Sequence, residues 1–144
     1  MTPMIPPGMT DQCMVLKTRR AARSVTRRYN ELLKPLGIQS TQASLLSSIY
    51  AGGFESISDL AEKMAIERSA LTRNLKILRD KGYITSDTEG RGRAQKVKLT
   101  KAGQKSVEKV APLWIKAQDE LRAELGDREW KKIQAALSTL ASVA

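Results

Sequence analysis

The stretch from Ser56 to Leu99 constrains the fold more than any other, because its hydrophobic period switches from helical to alternating within one short span. Ser56 precedes Ile57-Ser58-Asp59-Leu60-Ala61-Glu62-Lys63-Met64, where apolar residues at 57, 60, 61 and 64 keep helical spacing and the serine can cap the first free N–H groups. After Ala65-Ile66 a second run, Glu67 to Lys81, places Leu71, Leu75 and Leu78 on one stripe. Its opposite stripe is Arg68, Ser69, Thr72, Arg73, Lys76 and Arg79, and carries no acid. Gly82 stands where a left-handed residue closes a helix. Tyr83-Ile84-Thr85 then has strand character, Asp87 to Arg93 is a loop rich in glycine and arginine, and Gln95-Lys96-Val97-Lys98-Leu99 alternates polar and apolar.

Helix, tight turn, helix and hairpin in that order predict a winged helix-turn-helix. A helix with one buried stripe and one stripe of hydroxyls and cations suits the major groove of DNA, where such side chains reach base edges and phosphates together. A merely solvated helix more commonly alternates its charges. Arg68, Ser69, Thr72, Arg73 and Lys76 are therefore the candidate reading residues. The hairpin offers Arg91 and Arg93 at its tip and Lys96 and Lys98 on its second strand. The tip suits insertion into a minor groove or along a phosphate rail; on its own it also reads as a solvated turn.

These residues resemble the MarR family of bacterial transcriptional regulators. The likeness is carried by Leu60-Ala61, Arg68-Ser69-Ala70-Leu71-Thr72-Arg73, Leu75, Leu78, Lys81-Gly82-Tyr83-Ile84, Gly92-Arg93-Ala94, Val97, Leu99-Thr100 and Gly103, and extends upstream to Leu36-Gly37-Ile38. The family often places an Asp shortly before the inserted wing arginine. Here Arg91-Gly92 stand there with Glu89 further upstream, so either Arg91 or Arg93 can be the inserted residue. The resemblance implies a homodimer interlocked by its first and last helices, and a repressor released when a small-molecule effector or an oxidant shifts its reading helices.

Charge placement agrees with a nucleic-acid partner. The net charge is +10, and from Arg68 to Lys101 there are ten Lys or Arg against three acids. From Lys17 to Lys34 the count is seven against one, whereas from Ala102 onward it is seven against six. Positive charge gathered on particular segments is the electrostatic footprint expected for a polyanion. Enzyme readings have little support: there is no His, one Cys, and no carboxylate pair on an apolar face, so neither a metal site nor a catalytic constellation is expected and no cofactor is called for. The competing reading is an RNA-binding or ribosome-associated winged helix, which exposed stacking aromatics would favour; the reading stripe has none. Binding to an acidic protein or a membrane surface would not need the hydroxyls.

With 144 residues the chain is expected to form one domain, residues 10–144, behind a flexible proline-rich tail over residues 1–9. It lacks a signal-peptide pattern and a membrane-length apolar run, and reads as cytoplasmic. The fold class expected is mainly α with a small β-hairpin wing. Residues 38–100 form the DNA-binding lobe and residues 10–34 and 101–144 the dimerisation helices. Thr10 or Asp11 is expected to cap a first helix to about Leu33, with Val15, Ala22, Val25, Tyr29 and Leu32 on one face and Arg19, Arg20, Arg23 and Arg27 mostly elsewhere, a cluster that reads as a solvated face ahead of the alternative, direct contact with DNA. Pro35 ends it, and Gln39 or Ser40 opens a second helix that Gly52-Gly53 stops. Thr100 is expected to cap a long helix to about Leu125, bent at Pro112, and Asp127 a last one. Trp114, Leu121, Trp130, Ile133, Leu137 and Leu140 form a seam longer than a small lobe needs, and with Val15 make the expected dimer surface. A dimer predicts a pseudo-palindromic operator in double-stranded DNA.

Cys13 falls near the start of the first helix, with Lys17, Arg19 and Arg20 close behind. Helix N-termini and cations favour thiolates, which makes it a candidate redox switch; some members of the resembling family sense peroxide through a cysteine in this region. Beside Met14, Val15 and Leu16 it equally reads as a small hydrophobe in a packed seam.

Overall fold

The computed structural model describes residues 4–87 and 96–143. Among the described residues, six helices and two strands follow one another: α1 (Met14–Leu33), a single 3₁₀ turn (Lys34–Leu36), α2 (Ser40–Ala51), α3 (Ile57–Met64), α4 (Arg68–Asp80), β1 (Ile84–Asp87), β2 (Lys96–Leu99), α5 (Lys101–Leu125) and α6 (Asp127–Val143). This is a winged helix-turn-helix lobe, α2 to β2, set between long terminal helices.

Local chemistry accounts for most boundaries. The Ser56 hydroxyl accepts from the Asp59 N–H at 3.0 Å and opens α3. Ala65 closes it at φ 53°, a left-handed conformation unusual for a residue with a Cβ, and this makes the tight turn into α4. Gly82 at φ 75° follows α4, and the Tyr83 N–H returns to the Leu78 carbonyl at 2.9 Å, so the helix ends in a left-handed wrap. Gln39 and Gln42 cap α2 reciprocally.

Two expected caps are corrected. Thr10 and Asp11 do not start α1, because the segment before it makes its own turns, with the Met9 N–H on the Pro6 carbonyl at 3.2 Å and the Gln12 N–H on the Gly8 carbonyl at 2.8 Å. The helix begins at Met14, with Cys13 in the cap position and no side-chain cap bond. Asp127 is the first residue of α6 rather than its cap. Gly126 precedes it, and the Asp127 carboxylate takes the Arg122 Nε at 2.6 Å.

The strands pair antiparallel in the register Ile84 with Leu99, Thr85 with Lys98, Ser86 with Val97 and Asp87 with Lys96. Ile84 and Val97 turn into the core, while Thr85 and Lys98 face outward. That core is the lobe's own: Leu45 and Leu46 of α2, Leu60 of α3, and Leu71 and Leu78 of α4 are fully buried. Among the described residues, the terminal helices add Leu33 of α1 and Val110 of α5 to this cluster as buried residues, and α6 contributes none. α5 continues through Pro112 and packs on α1, α2 and α6, so it carries the lobe on one side and the terminal helices on the other.

Candidate nucleic-acid interface

The buried stripe of α4 fixes which way its other face points. With Leu71, Leu75 and Leu78 held in the core, Arg68, Ser69, Thr72, Arg73 and Lys76 are all exposed on the outer side. Arg68, Ser69 and Arg73 make no side-chain hydrogen bond or ion pair among the described residues. Thr72 donates to the Arg68 carbonyl at 2.9 Å, which leaves its oxygen able to accept.

Two members of the predicted stripe are placed differently. Arg79 does not face outward with the rest; its Nη1 donates to the Ser86 hydroxyl at 2.8 Å, which ties the end of α4 to β1. Lys76 has an acid one turn away, Asp80, at 3.5 Å. The stripe is therefore free of acids over its first turns but not at its C-terminal end. Both partners are largely exposed, and such i,i+4 pairs contribute only about 0.3–0.5 kcal/mol, so the lysine is readily surrendered to a phosphate. On the hairpin, Lys98 is exposed on β2, and Lys96 pairs with Asp87 through the strand backbone. Arg91 and Arg93 lie outside the described residues.

Periodicity did not reveal what holds α4 in place, since the braces join residues far apart in sequence. Lys81 Nζ, just after α4, donates to the Gly37 carbonyl at 2.7 Å, and Lys63 Nζ of α3 donates to the Gly52 carbonyl at 2.8 Å, which ties α3 to the end of α2. Thr100, legible as a cap of α5, does more than accept the Gly103 N–H at 3.1 Å. Its hydroxyl donates to the Gly82 carbonyl at 2.6 Å and its N–H to the Tyr83 carbonyl at 3.0 Å. The start of α5 is thereby clamped to the two residues at the end of the α4 wrap.

Behind the lobe, between α1, α2 and α5, lies a cavity of about 320 Å³ bounded by Tyr29, Leu33, Ser40, Ser44, Ser47, Val110 and Trp114. At its edge the Tyr29 hydroxyl donates to Gln118, and partial burial raises the phenol above its ordinary range. Arg28 Nη2 meets Glu124 Oε2 at 2.7 Å, joining α1 to α5. Their hydrogen bond raises the guanidinium and lowers the carboxyl from their ordinary values.

The expected dimer residues divide in two. Val15, Trp114, Ile133 and Leu137 are exposed, at 61, 51, 39 and 54%; Leu121, Trp130 and Leu140 are half-buried. Arg19, Arg20, Arg23 and Arg27 line an open cationic groove on α1. Cys13 is a free, half-buried thiol. Among the described residues no cluster of metal-binding side chains occurs, and no helix is long and apolar enough to cross a membrane.

Comparison with known proteins gives this geometry a context. The family model for the MarR family matches residues 38–88, nearly the whole helix-turn-helix lobe. The transcriptional regulator MosR of M. tuberculosis is 32% identical over 92% of this chain and 96% of its own, with a TM-score of 0.81. It is also solved in complex with DNA, at the same identity and TM-score over 91% and 95% of the two chains. A mutant of E. coli MarR complexed with operator DNA is 25% identical over 88% and 92% of the two chains, with a TM-score of 0.77, and the oxidised and reduced forms of E. coli MarR are also solved. An uncharacterised HTH-type regulator of Bacillus subtilis, YwoH, is 26% identical over 81% of this chain and 85% of its own.

Proposed function

The chain belongs to the MarR family of transcriptional regulators, and on that footing we propose that it is a homodimeric repressor that binds a pseudo-palindromic operator in double-stranded DNA. The observation that carries this reading is the outer face of α4, where Arg68, Ser69 and Arg73 stand exposed and unengaged among the described residues, beside Thr72 and Lys76. They read base edges, while Arg91, Arg93 and Lys96 of the wing neutralise phosphates. A regulator of this kind works where the DNA is, in the cytoplasm.

The homodimer is supported by the terminal helices. α6 runs from Asp127 to Val143 without burying a residue, although Ile133, Leu137, Leu140 and Val143 repeat along it. α1 likewise exposes Met14, Val15, Leu16 and Val25. Apolar helix faces of this length are normally covered, and a second copy supplies the same faces under two-fold symmetry. Two α4 helices carried on one dimer frame then meet successive major grooves.

Release follows from anything that changes the spacing of those helices. A small molecule in the cavity between α1, α2 and α5 would wedge the lobe against the frame. Oxidation of Cys13 by peroxide to the sulfenic acid would add polar bulk where α1 begins. Recovery of sheared genomic DNA with the purified protein tests the reading. The parent should enrich pseudo-palindromic fragments, and the Leu137→Asp protein, monomeric by sedimentation, should not. Equal recovery of all fragments by the parent would overturn it.

A further inference from the structure

The arginines of α1 form a charged surface that the core of the lobe does not use. Arg19, Arg23 and Arg27 lie at i, i+4 and i+8, and with Arg20 they line an open groove of about 380 Å³ that no acid enters. All four are exposed, and among the described residues none makes an ion pair or a side-chain hydrogen bond. Arg28, one residue on, is by contrast engaged with Glu124. Like charges one turn apart oppose the helix that carries them, so the ladder gives the fold nothing. Ala22, Val25, Tyr29 and Leu32 fall toward the other side of the helix, and a dimer seam built on them leaves the arginines uncovered.

A second copy of the chain has few acids to offer these arginines. From Ala102 onward there are six, and Glu120, Glu124, Asp127 and Glu129 already pair with Lys116, Arg28, Arg122 and Lys132 of their own chain. A phosphate chain fits better. Steps of about 6 Å carry the three guanidiniums over about 12 Å of helix, the span of about three or four phosphates of one strand at about 3.4 Å each. The ladder is also far from the reading face. The start of α5 is clamped to the end of α4, Arg28 meets α5 near its other end, and the helix between them rises about 37 Å. Leu33, at the opposite end of α1, lies in the lobe core, so the ladder runs on away from the lobe. That separation is several times the screening length of about 8 Å in physiological salt. Resting on the DNA-binding reading, we propose that the ladder binds the phosphate backbone of a second DNA duplex, separate from the one read by α4, so that the protein bridges two duplexes.

The test uses the full chain and a short labelled duplex of random sequence at fixed low salt. In protein whose reading surface is disabled by Arg68→Ala, Arg73→Ala, Arg91→Ala and Arg93→Ala, duplex binding should persist. Adding Arg19→Gln, Arg23→Gln and Arg27→Gln should weaken it at least about tenfold and take about 3 from the log–log salt slope, roughly 1 for each lost phosphate contact. Arg19→Lys, Arg23→Lys and Arg27→Lys in their place should restore binding to within about threefold, since a phosphate accepts either cation. Helix content and dimer mass should be the same in all. Parent protein saturated with an immobilised operator should capture the random duplex, and the triple glutamine protein should not. No duplex binding by the reading-disabled protein, no effect of the three glutamines, or no capture by the operator-loaded parent would each overturn the proposal. So would binding of anionic lipid vesicles in place of the duplex, or a triple glutamine protein that falls apart into monomers; these assign the arginines to a membrane or to the second copy. The operator reading fails separately: if the ladder holds random duplex and the parent prefers no genomic fragment, the second site stands and the operator reading falls. If the parent selects an operator and, once loaded, captures nothing, the operator reading stands and the second site falls.

Discussion

Arg73 and Gly103 sit at opposite ends of what one side chain can do here. Arg73 is exposed on the outer face of α4 and touches nothing that holds the fold together. Its replacement by Ala should leave the urea midpoint unchanged but weaken operator binding by about 1–3 kcal/mol and relax base preference, as read by gel-shift titration at fixed salt. Gly103 is the reverse case. A Cβ built on it would lie 2.1 Å from the Tyr83 carbonyl oxygen, the same oxygen that accepts the Thr100 N–H. Neither atom can move without breaking the clamp between α5 and the end of α4, so Gly103→Ala should cost about 1–3 kcal/mol in a denaturation curve, as overpacked sites do. In the sequence Gly103 stood out only as part of a family likeness. Its reason, a backbone oxygen at close quarters from the far side of the hairpin, is a tertiary fact.

Between elements, the telling links are polar and long-range. The Arg28 and Glu124 pair joins α1 to α5, and the hydrogen bond from Arg28 holds the Glu124 carboxyl below its ordinary range. A depressed carboxyl contributes stability that is present above its unfolded-state value and is lost as pH falls through its folded-state value. The link should therefore be intact at neutral pH and weaken in acid. Arg28→Ala should return the Glu124 titration, followed by carboxyl NMR, toward the ordinary carboxylate value, with little effect on melting at neutral pH because the pair is exposed. Helical spacing and turn residues were enough to foresee α2 to α6 and the hairpin within a residue or two. They failed at Thr10 and Asp11, whose neighbours were already spent on the turns of the segment after Pro6. They failed also at Arg79, which has the spacing of a reading residue but the Ser86 hydroxyl within 2.8 Å. Periodicity assigns a side chain to a face; it does not say which partner gets there first.

At the scale of the molecule, the lobe is a complete core and the terminal helices are not. The outer face of α4 carries exposed Arg68, Arg73 and Lys76, β2 carries exposed Lys98, and α1 and α6 carry the uncovered apolar faces. Operator binding should weaken steeply with salt, and the protein with both Arg91 and Arg93 changed to Ala should lose affinity for specific and random DNA alike. Its log–log salt slope should fall by roughly 1 for each lost phosphate contact. An unchanged slope would make the loop a solvated turn. The central claim is that two α4 helices on one symmetric frame read two half-sites. Hydroxyl-radical footprinting of the parent protein on an operator recovered from genomic DNA tests it most directly. The account predicts two equivalent protected half-sites on one face of the duplex, their centres about 10–10.5 base pairs apart or a multiple of that. A single protected half-site, or protection no stronger than on random DNA at the same salt, would contradict it.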